Sequence, residues 1–129
     1  MLDTNICIFV MNGNARVREI FTREQAGGIT VSAVVLAELV YGMENSARRE
    51  SNLETLRKFL TTVTILPFGE DAAIAYGHIR TKHRARGTPI GPLDTLIAAH
   101  ALSLGMTLVT NNTREFTRVD GLATEDWCA

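Results

Sequence analysis

The sequence contains little of what marks secreted, membrane or thiolate-bound metal proteins. Only two of its 129 residues are cysteines, Cys7 and Cys128, and their spacing matches neither a zinc site nor a redox motif. We therefore expect two reduced, unpaired thiols, as in cytoplasmic proteins. No apolar run approaches the ~20 residues needed to cross a bilayer, and no charged-then-apolar leader opens the chain. These absences predict a soluble cytoplasmic protein that does not act in a membrane.

An excess of positive charge is also absent. The chain has 13 Lys and Arg residues against 14 Asp and Glu residues, for a net charge of −1, so no global basic field predicts nucleic-acid binding. Positive charge is concentrated just before Gly87, in a run that includes His83 and consists of Arg80, Lys82, Arg84 and Arg86. Such a run is typical of a solvated helix face. Because it lies close in sequence to Asp94, contact with phosphate groups is an equally open interpretation.

The alternation of strand and helix patterns predicts the fold class. Short β-branched or apolar segments predict strands at residues 1–4, 29–32, 63–66, 106–110 and 122–127. Helical periodicity predicts helices at residues 6–11, 15–25, 33–45, 53–60, 70–86 and 92–104, with an irregular turn at 111–116. This alternation is typical of an α/β sandwich with a mostly parallel sheet. The chain has no internal repeat and no linker, so we expect a single domain over residues 1–129.

The beginning of the chain is unusually abrupt. Leu2 is the only apolar residue before Asp3 apart from Met1, whereas a buried first strand normally contains several. We therefore expect that a few upstream residues are absent. Asn5 is the expected cap of the helix that begins at Ile6.

Four acidic residues stand out by their positions. Asp3 ends the first predicted strand, Glu115 follows a later strand, and Asp94 lies in the first turn of the helix that Pro92 begins. Each of these has an ordinary interpretation, as a turn residue, a solvated loop carboxylate or an acid that complements the helix dipole. Glu38 differs because it interrupts an apolar run, where a carboxylate is costly to bury without a partner. Ligand sites of α/β sheets lie beyond the carboxyl ends of the strands, so we expect these acids to share one site.

A shared site of four carboxylates needs a compensating charge. Two carboxylates 4 Å apart repel by ~4 kcal/mol at an effective dielectric constant near 20, and no lysine lies near Asp3, Glu38 or Glu115 in sequence. Mg²⁺ and Mn²⁺ prefer carboxylate and water oxygens, so one of these cations is the expected cofactor. His100 is expected to be a core histidine, and no cysteine–histidine set or glycine-rich phosphate loop is present.

Several motifs occur together in one order along the chain. They are Leu2-Asp3-Thr4-Asn5, Glu38 in its apolar helix, Gly87-x-Pro89-Ile90-Gly91-Pro92-x-Asp94, and the segment from Val109 to Phe116. In these motifs the chain closely resembles the PIN-domain toxins of the VapC family, which belong to VapBC type II toxin–antitoxin modules. The resemblance covers nearly the whole chain. It implies a three-layer α/β/α fold with a mostly parallel central sheet.

The resemblance also implies an activity and partners. It implies an endoribonuclease that depends on Mg²⁺ or Mn²⁺ and is neutralised by a VapB-type antitoxin. The implied substrates are loops of tRNA or rRNA, with the anticodon stem-loop of initiator tRNA as the expected target. The implied assemblies are a homodimer and a hetero-oligomeric toxin–antitoxin complex.

Residue roles follow from the resemblance together with the residue chemistry. The acidic quartet of the family corresponds to Asp3, Glu38, Asp94 and Glu115. Our hypothesis is that Asp3, Asp94 and Glu115 hold the cation, and that Glu38 positions or deprotonates the attacking water. The residues expected beside the quartet, where they would orient it, are Thr4, Asn5, Thr110 and Asn112. The candidates for contacts with RNA phosphates are Arg80, Lys82, Arg84, Arg86 and Arg114.

Three other functions are weighed against this one. An aspartyl-phosphate phosphatase needs an acid two residues after Asp3, where Asn5 stands. A phosphate-accepting receiver domain needs a lysine after a late strand, where Asn111 and Asn112 stand. A binding partner that keeps only the fold would not need the complete carboxylate quartet.

Overall fold

The computed structural model describes all residues from Met1 to Ala129. Its helices are α1 (Thr4–Met11), α2 (Ala15–Glu24), α3 (Ala33–Glu44), α4 (Arg49–Leu60), α5 (Glu70–Arg86), α6 (Pro92–Ser103) and α7 (Thr113–Phe116). A 3₁₀ turn at Gln25–Gly27 follows α2. The strands are β1 (Thr30–Ser32), β2 (Thr64–Leu66), β3 (Leu108–Val109) and β4 (Thr124–Glu125).

The strands are parallel, and the first residues of the chain join them. β1 pairs in parallel with β2, and β3 pairs in parallel with β4. Between these pairs, the Leu2 amide donates to the Thr30 carbonyl at 2.9 Å and the Asp3 amide donates to the Val109 carbonyl at 2.9 Å. Residues 1–3 therefore connect the two pairs through backbone hydrogen bonds. The predicted α/β fold with parallel strands is confirmed.

The predicted start of the chain is wrong in two respects. Residues 1–4 are not a full strand, because only Leu2 forms a bridge, to Val109, and α1 already begins at Thr4. The cap of α1 is Asp3, not Asn5, since the Asp3 carboxylate accepts a hydrogen bond from the Thr4 amide. Asp3, which ends the first extended segment, is thus also the N-cap residue of α1.

Other predicted boundaries shift for local reasons. Helix α4 begins at Arg49 rather than at residue 53, because its first turn is charged and carries no apolar signal. The segment predicted as an irregular turn contains the single helical turn α7, and its backbone is held by the bond from the Phe116 amide to the Asn112 carbonyl. The last two strands are only two residues long, which is shorter than predicted.

One apolar core of 23 buried residues includes Met1 at one end and Trp127 at the other. It favours the single-domain organisation, which stays a prediction. His100 is buried, and its Nδ1 lies 2.7 Å from the Ser32 hydroxyl oxygen, so it is the core histidine that was predicted. Both cysteines are free, as predicted. No helix is both long and apolar enough to span a membrane.

Ser32 is the residue whose removal should test this packing. Its hydroxyl oxygen caps α3 by accepting from the Val34 amide at 3.1 Å, and it also contacts His100. Ser32→Ala should lower the free energy of unfolding by about 1–2 kcal/mol, since one cap and one buried hydrogen bond are lost. Urea denaturation measures the change. Ser51→Ala on the exposed side of α4 should change the free energy by less than about 0.5 kcal/mol, and equal losses in both variants would contradict the assignment.

Candidate active site

Asp3 is the most buried of the acids, with only 5% of its surface exposed. One carboxylate oxygen accepts from the Thr4 amide at 2.7 Å, and the other accepts from the Thr110 hydroxyl at 2.8 Å. Burial raises the pKa of Asp3, and these two hydrogen bonds oppose the rise. The charges of Glu38 and Glu115 raise the pKa further. Asp3 therefore lies close enough to both acids for their charges to act on it.

Glu38 is linked to Asp3 through Thr4. The Thr4 hydroxyl donates to Glu38 Oε1 at 2.8 Å, while the Thr4 amide donates to Asp3. Glu38 is half-buried, because the apolar run around it is not wholly in the core. Val35 and Leu39 are buried, whereas Tyr41 is 70% exposed. Glu38 thus lies at the border between the core and an open face of α3.

Thr110 continues the same network towards Glu115. Its hydroxyl group donates a hydrogen bond to Asp3, and the hydroxyl oxygen accepts one from the Asn112 backbone amide at 3.0 Å. The Asn112 side-chain amide donates to Glu115 Oε2 at 2.7 Å, and the Gly91 amide donates to Glu115 Oε1 at 3.1 Å. Helix α7 and the turn before α6 together fix the Glu115 carboxylate. Nothing in the sequence pattern indicated that the Gly91 backbone would take part.

Asp94 lies in the first turn of α6, whose Pro92 occupies a first-turn position and whose Gly91 gives no side-chain cap. Its pKa is raised to about 7, first by burial, then by the charges of Glu115 and Asp3, with a smaller contribution from Glu38. In the protein without a cation, Asp94 therefore holds its proton to a higher pH than an ordinary carboxyl group does.

No positively charged side chain compensates these acids. The ion pairs of the structure join Arg49 to Glu44, Arg57 to Glu54, and both Lys82 and Arg86 to Asp120, so none involves the quartet. Neutral hydroxyl and amide donors alone hold the carboxylates. The structure contains no group of three or more Asp, Glu, His or Cys side chains arranged to bind one metal ion together. Mg²⁺ does not require one, because it commonly binds one or two carboxylates and keeps several waters.

The residues expected beside the quartet differ in what they contact. Thr4, Thr110 and Asn112 each donate to one of the acids. Asn5 does not, because its side-chain amide instead lies 3.5 Å from the Asn111 side-chain oxygen, at the surface. The structure therefore brings Asn5 to the rim of the site without a bond to a carboxylate.

Two of the five basic candidates are paired with a carboxylate, and the other three are not. Lys82 and Arg86 both donate to Asp120, at 2.6 and 3.0 Å. Arg80 lies with its guanidinium 5.9 Å from the centre of the Tyr76 ring and donates to the Tyr76 hydroxyl at 2.8 Å. The remaining candidates, Arg84 and Arg114, are exposed and form no ion pair. Only some of the local positive charge is therefore free of a carboxylate.

Comparison with known proteins assigns the chain and its fold to a family. The model of the PIN domain matches residues 1–122. The chain is 49% identical over 128 residues to the tRNA(fMet)-specific endonuclease VapC of Shigella flexneri, covering 98% of this chain and 96% of the relative. It is a PIN-domain protein of the VapC family. The family excludes the receiver and aspartyl-phosphate phosphatase interpretations.

Solved structures of the VapC family agree with this fold. A chain in the crystal structure of DNA-bound VapBC from Salmonella typhimurium superposes with a TM-score of 0.94 at 43% identity, over 99% of this chain and 97% of that one. A chain of VapBC2 from Rickettsia felis, bound to a promoter DNA fragment, also gives a TM-score of 0.94, at 38% identity, over 98% of this chain and 97% of that one. The predicted resemblance to VapC proteins is confirmed.

The crowding of carboxylates predicts a pH-dependent cost to stability. The pKa of Asp94 is about 7 in the folded protein against an ordinary value of 3.8, so the folded state binds the proton more tightly. Stability should therefore fall as pH rises from about 4 through about 7. Asp94→Asn should remove the contribution of Asp94 to this fall and stabilise the cation-free protein by about 1–2 kcal/mol near pH 8, an amount reduced by solvent screening.

Urea denaturation in EDTA at a series of pH values measures this difference. At pH values below about 4, where Asp94 is protonated in both the folded and the unfolded state, the two proteins should have similar stability. If Asp94→Asn were less stable than the parent at pH 8, the Asp94 carboxylate would stabilise the folded protein, which would contradict this prediction.

Proposed function

We propose that this VapC-family protein is a cation-dependent endoribonuclease that hydrolyses phosphodiester bonds of tRNA in the cytoplasm and so arrests translation. The observation that carries the proposal is the arrangement of Asp3, Glu38, Asp94 and Glu115. Their charges act on one another, and no basic side chain offsets them. Such a site favours a divalent cation and, through it, a phosphodiester.

The relatives support the choice of substrate. Two of them, from Shigella flexneri at 49% identity and Salmonella typhimurium at 43%, are tRNA(fMet)-specific endonucleases. Others, including a protein of Haemophilus influenzae at 44% identity, are ribonucleases. We infer that this chain cleaves initiator tRNA, with the anticodon stem-loop as the target.

The donors at the site fit Mg²⁺ or Mn²⁺. All are oxygens, and the pKa of Asp94 is raised first by burial and then by the charges of Glu115 and Asp3, which a cation would offset. Asp3 and Asp94 would hold the cation, with Glu115 and Asn112 contributing directly or through waters. When bound, the cation would supply a water of lowered pKa and neutralise charge on the phosphate in the transition state.

The side chains around the cation would then position the attacking water and accept its proton. The Thr4 hydroxyl fixes one oxygen of Glu38, and no protein group donates to Oε2. That free oxygen can accept a proton from the attacking water, which makes Glu38 the general base. The bonds from Asn112 and Gly91 keep Glu115 turned towards Asp94.

The protein partners follow from the structural neighbours. The matching chains from Salmonella typhimurium, Rickettsia felis and Haemophilus influenzae belong to VapBC structures. We infer that a VapB-type antitoxin binds and inhibits this chain, in a hetero-oligomeric complex built on a toxin homodimer. The exposed apolar side chains of α3, which include Val40 and Tyr41, are available for such contacts.

Replacing Asp94 tests the site directly. Asp94→Asn should reduce cleavage of an initiator-tRNA stem-loop in Mn²⁺ by about 100- to 1,000-fold, as expected when one group that stabilises transition-state charge is lost, while the circular dichroism spectrum stays unchanged. Asp71→Asn is the matched control, because Asp71 lies in the first turn of α5 and is exposed. Asp71→Asn should cleave at the parent rate. Full activity of Asp94→Asn would discard the site.

The ends of the cleaved RNA test the mechanism. Attack by an external water should leave 5′-phosphate and 3′-hydroxyl ends, because the ribose 2′-hydroxyl takes no part. Mass spectrometry of the fragments, with products of a 2′-hydroxyl-dependent ribonuclease as a reference, identifies the ends. Fragments that carry 2′,3′-cyclic phosphates would contradict the role given to Glu38.

A further inference from the structure

The basic residues of α5 lie on two different sides of the helix. Arg80, His83, Arg84 and Gly87 follow the spacing of one helix face, whereas Lys82 and Arg86 are four residues apart on another. The second face is occupied, since both of its cations donate to Asp120. The first face lines a cavity.

This cavity has a volume of about 450 Å³ and is bounded on one side by the turn that leads into α6. Its walls include Arg80, His83, Arg84, Pro89, Ile90 and Thr95. The volume lies within the range of sites that bind small ligands. One wall is cationic and the other is apolar.

The cavity adjoins the acidic site through shared backbone. Thr95 directly follows Asp94, and its hydroxyl donates to the Gly91 carbonyl at 2.9 Å. The amide of the same Gly91 donates to Glu115. Pro92, in the first turn of α6, also lines the cavity. A ligand in the cavity would therefore lie beside the phosphodiester that the acids hold.

His83 adds a polar group to the cavity. Its residue surface is only 4% exposed, and its Nδ1 lies 3.1 Å from the Thr88 carbonyl oxygen, to which we assign the Nδ1 proton. Nε2 is then an acceptor without a protein partner. It is also accessible to solvent, because Trp127 Nε1 is the only fully buried side-chain polar atom that lacks a partner. The cavity thus offers an acceptor next to two guanidinium groups.

We propose that this cavity binds one unpaired nucleotide of the RNA next to the scissile phosphate, an inference that rests on the proposed ribonuclease function. Guanidinium planes stack on splayed-out bases, and arginine also binds phosphate. Pro89 and Ile90 give the base an apolar surface, and His83 Nε2 can accept from a base edge. Arg80 is held in position by Tyr76. A single nucleotide matches this combination of charge, apolar wall and acceptor.

Two double variants separate the cavity from charge alone. Arg80→Ala with Arg84→Ala and Lys82→Ala with Arg86→Ala remove the same charge from the same helix. The probe is a labelled initiator-tRNA anticodon stem-loop, and its binding is measured by fluorescence anisotropy without cleavage, in EDTA. The cavity variant should bind about tenfold or more weakly, as expected when a stacked base is released. The variant of the other face should lose no more than about threefold, since Lys82 and Arg86 are both already paired with Asp120.

A substrate series then tests whether the cavity takes a base. Stem-loops with one abasic nucleotide at a time in the loop are compared with the intact RNA. One position should weaken binding to the parent protein about tenfold yet have no further effect on the cavity variant. In cleavage assays the cavity variant should show a raised KM with kcat within about twofold. Its salt dependence should also fall, by about 0.7 in log–log slope for one lost phosphate contact to a single strand.

The outcomes distinguish this inference from the proposed function. Equal losses in both double variants, or additive effects of every abasic position, would overturn the nucleotide cavity while leaving the ribonuclease intact. Loss of affinity for a VapB-type antitoxin without loss of RNA affinity would also overturn it and assign the cavity to a peptide. The predicted binding pattern without cleavage in any divalent cation would instead remove the proposed catalytic function alone.

Discussion

The structure depends on holding like charges together with neutral hydrogen-bond donors. Asp3 is the centre of this arrangement, because it caps α1 and accepts from Thr110 while its backbone joins β3. Thr4 extends the contacts to Glu38, and Asn112 extends them to Glu115. Repulsion between such carboxylates reaches ~4 kcal/mol for a close pair at an effective dielectric constant near 20. The fold therefore carries a local cost that binding of a cation can relieve.

The same constraint connects stability with function. A raised pKa of Asp94 means that the cation-free protein keeps a proton where a cation would bind, so cation binding and proton release are coupled near neutral pH. Two of the groups at the site follow parallel-paired segments, since Asp3 comes after Leu2, which bridges to Val109, and Thr110 directly follows β3. The turn that contains Gly91 donates its Gly91 amide to Glu115, and Pro89 and Ile90 of the same turn line the basic cavity. The acidic site and the proposed nucleotide cavity thus share one structural element.

The sequence predicted the α/β fold and the positions of the acids along the chain because strand ends and helix starts have local signals. It did not predict that Asp3 caps α1, since an extended segment of three residues has too little pattern to locate its end. It also could not predict contacts between distant residues. The Thr4–Glu38 bond and the Arg86–Asp120 pair each join residues 34 positions apart. The split of the basic run into a paired and a free face required the fold.

The most direct measurement of the central claim is anomalous X-ray diffraction from crystals grown with Mn²⁺. The account predicts a manganese peak at the edge of the sheet, in direct or water-mediated contact with the carboxylates of Asp3, Asp94 and Glu115. The Thr110 and Asn112 hydrogen bonds should be retained around it. A protein that cleaves RNA under the same conditions but shows no peak among these carboxylates, or binds manganese only elsewhere, would contradict the account.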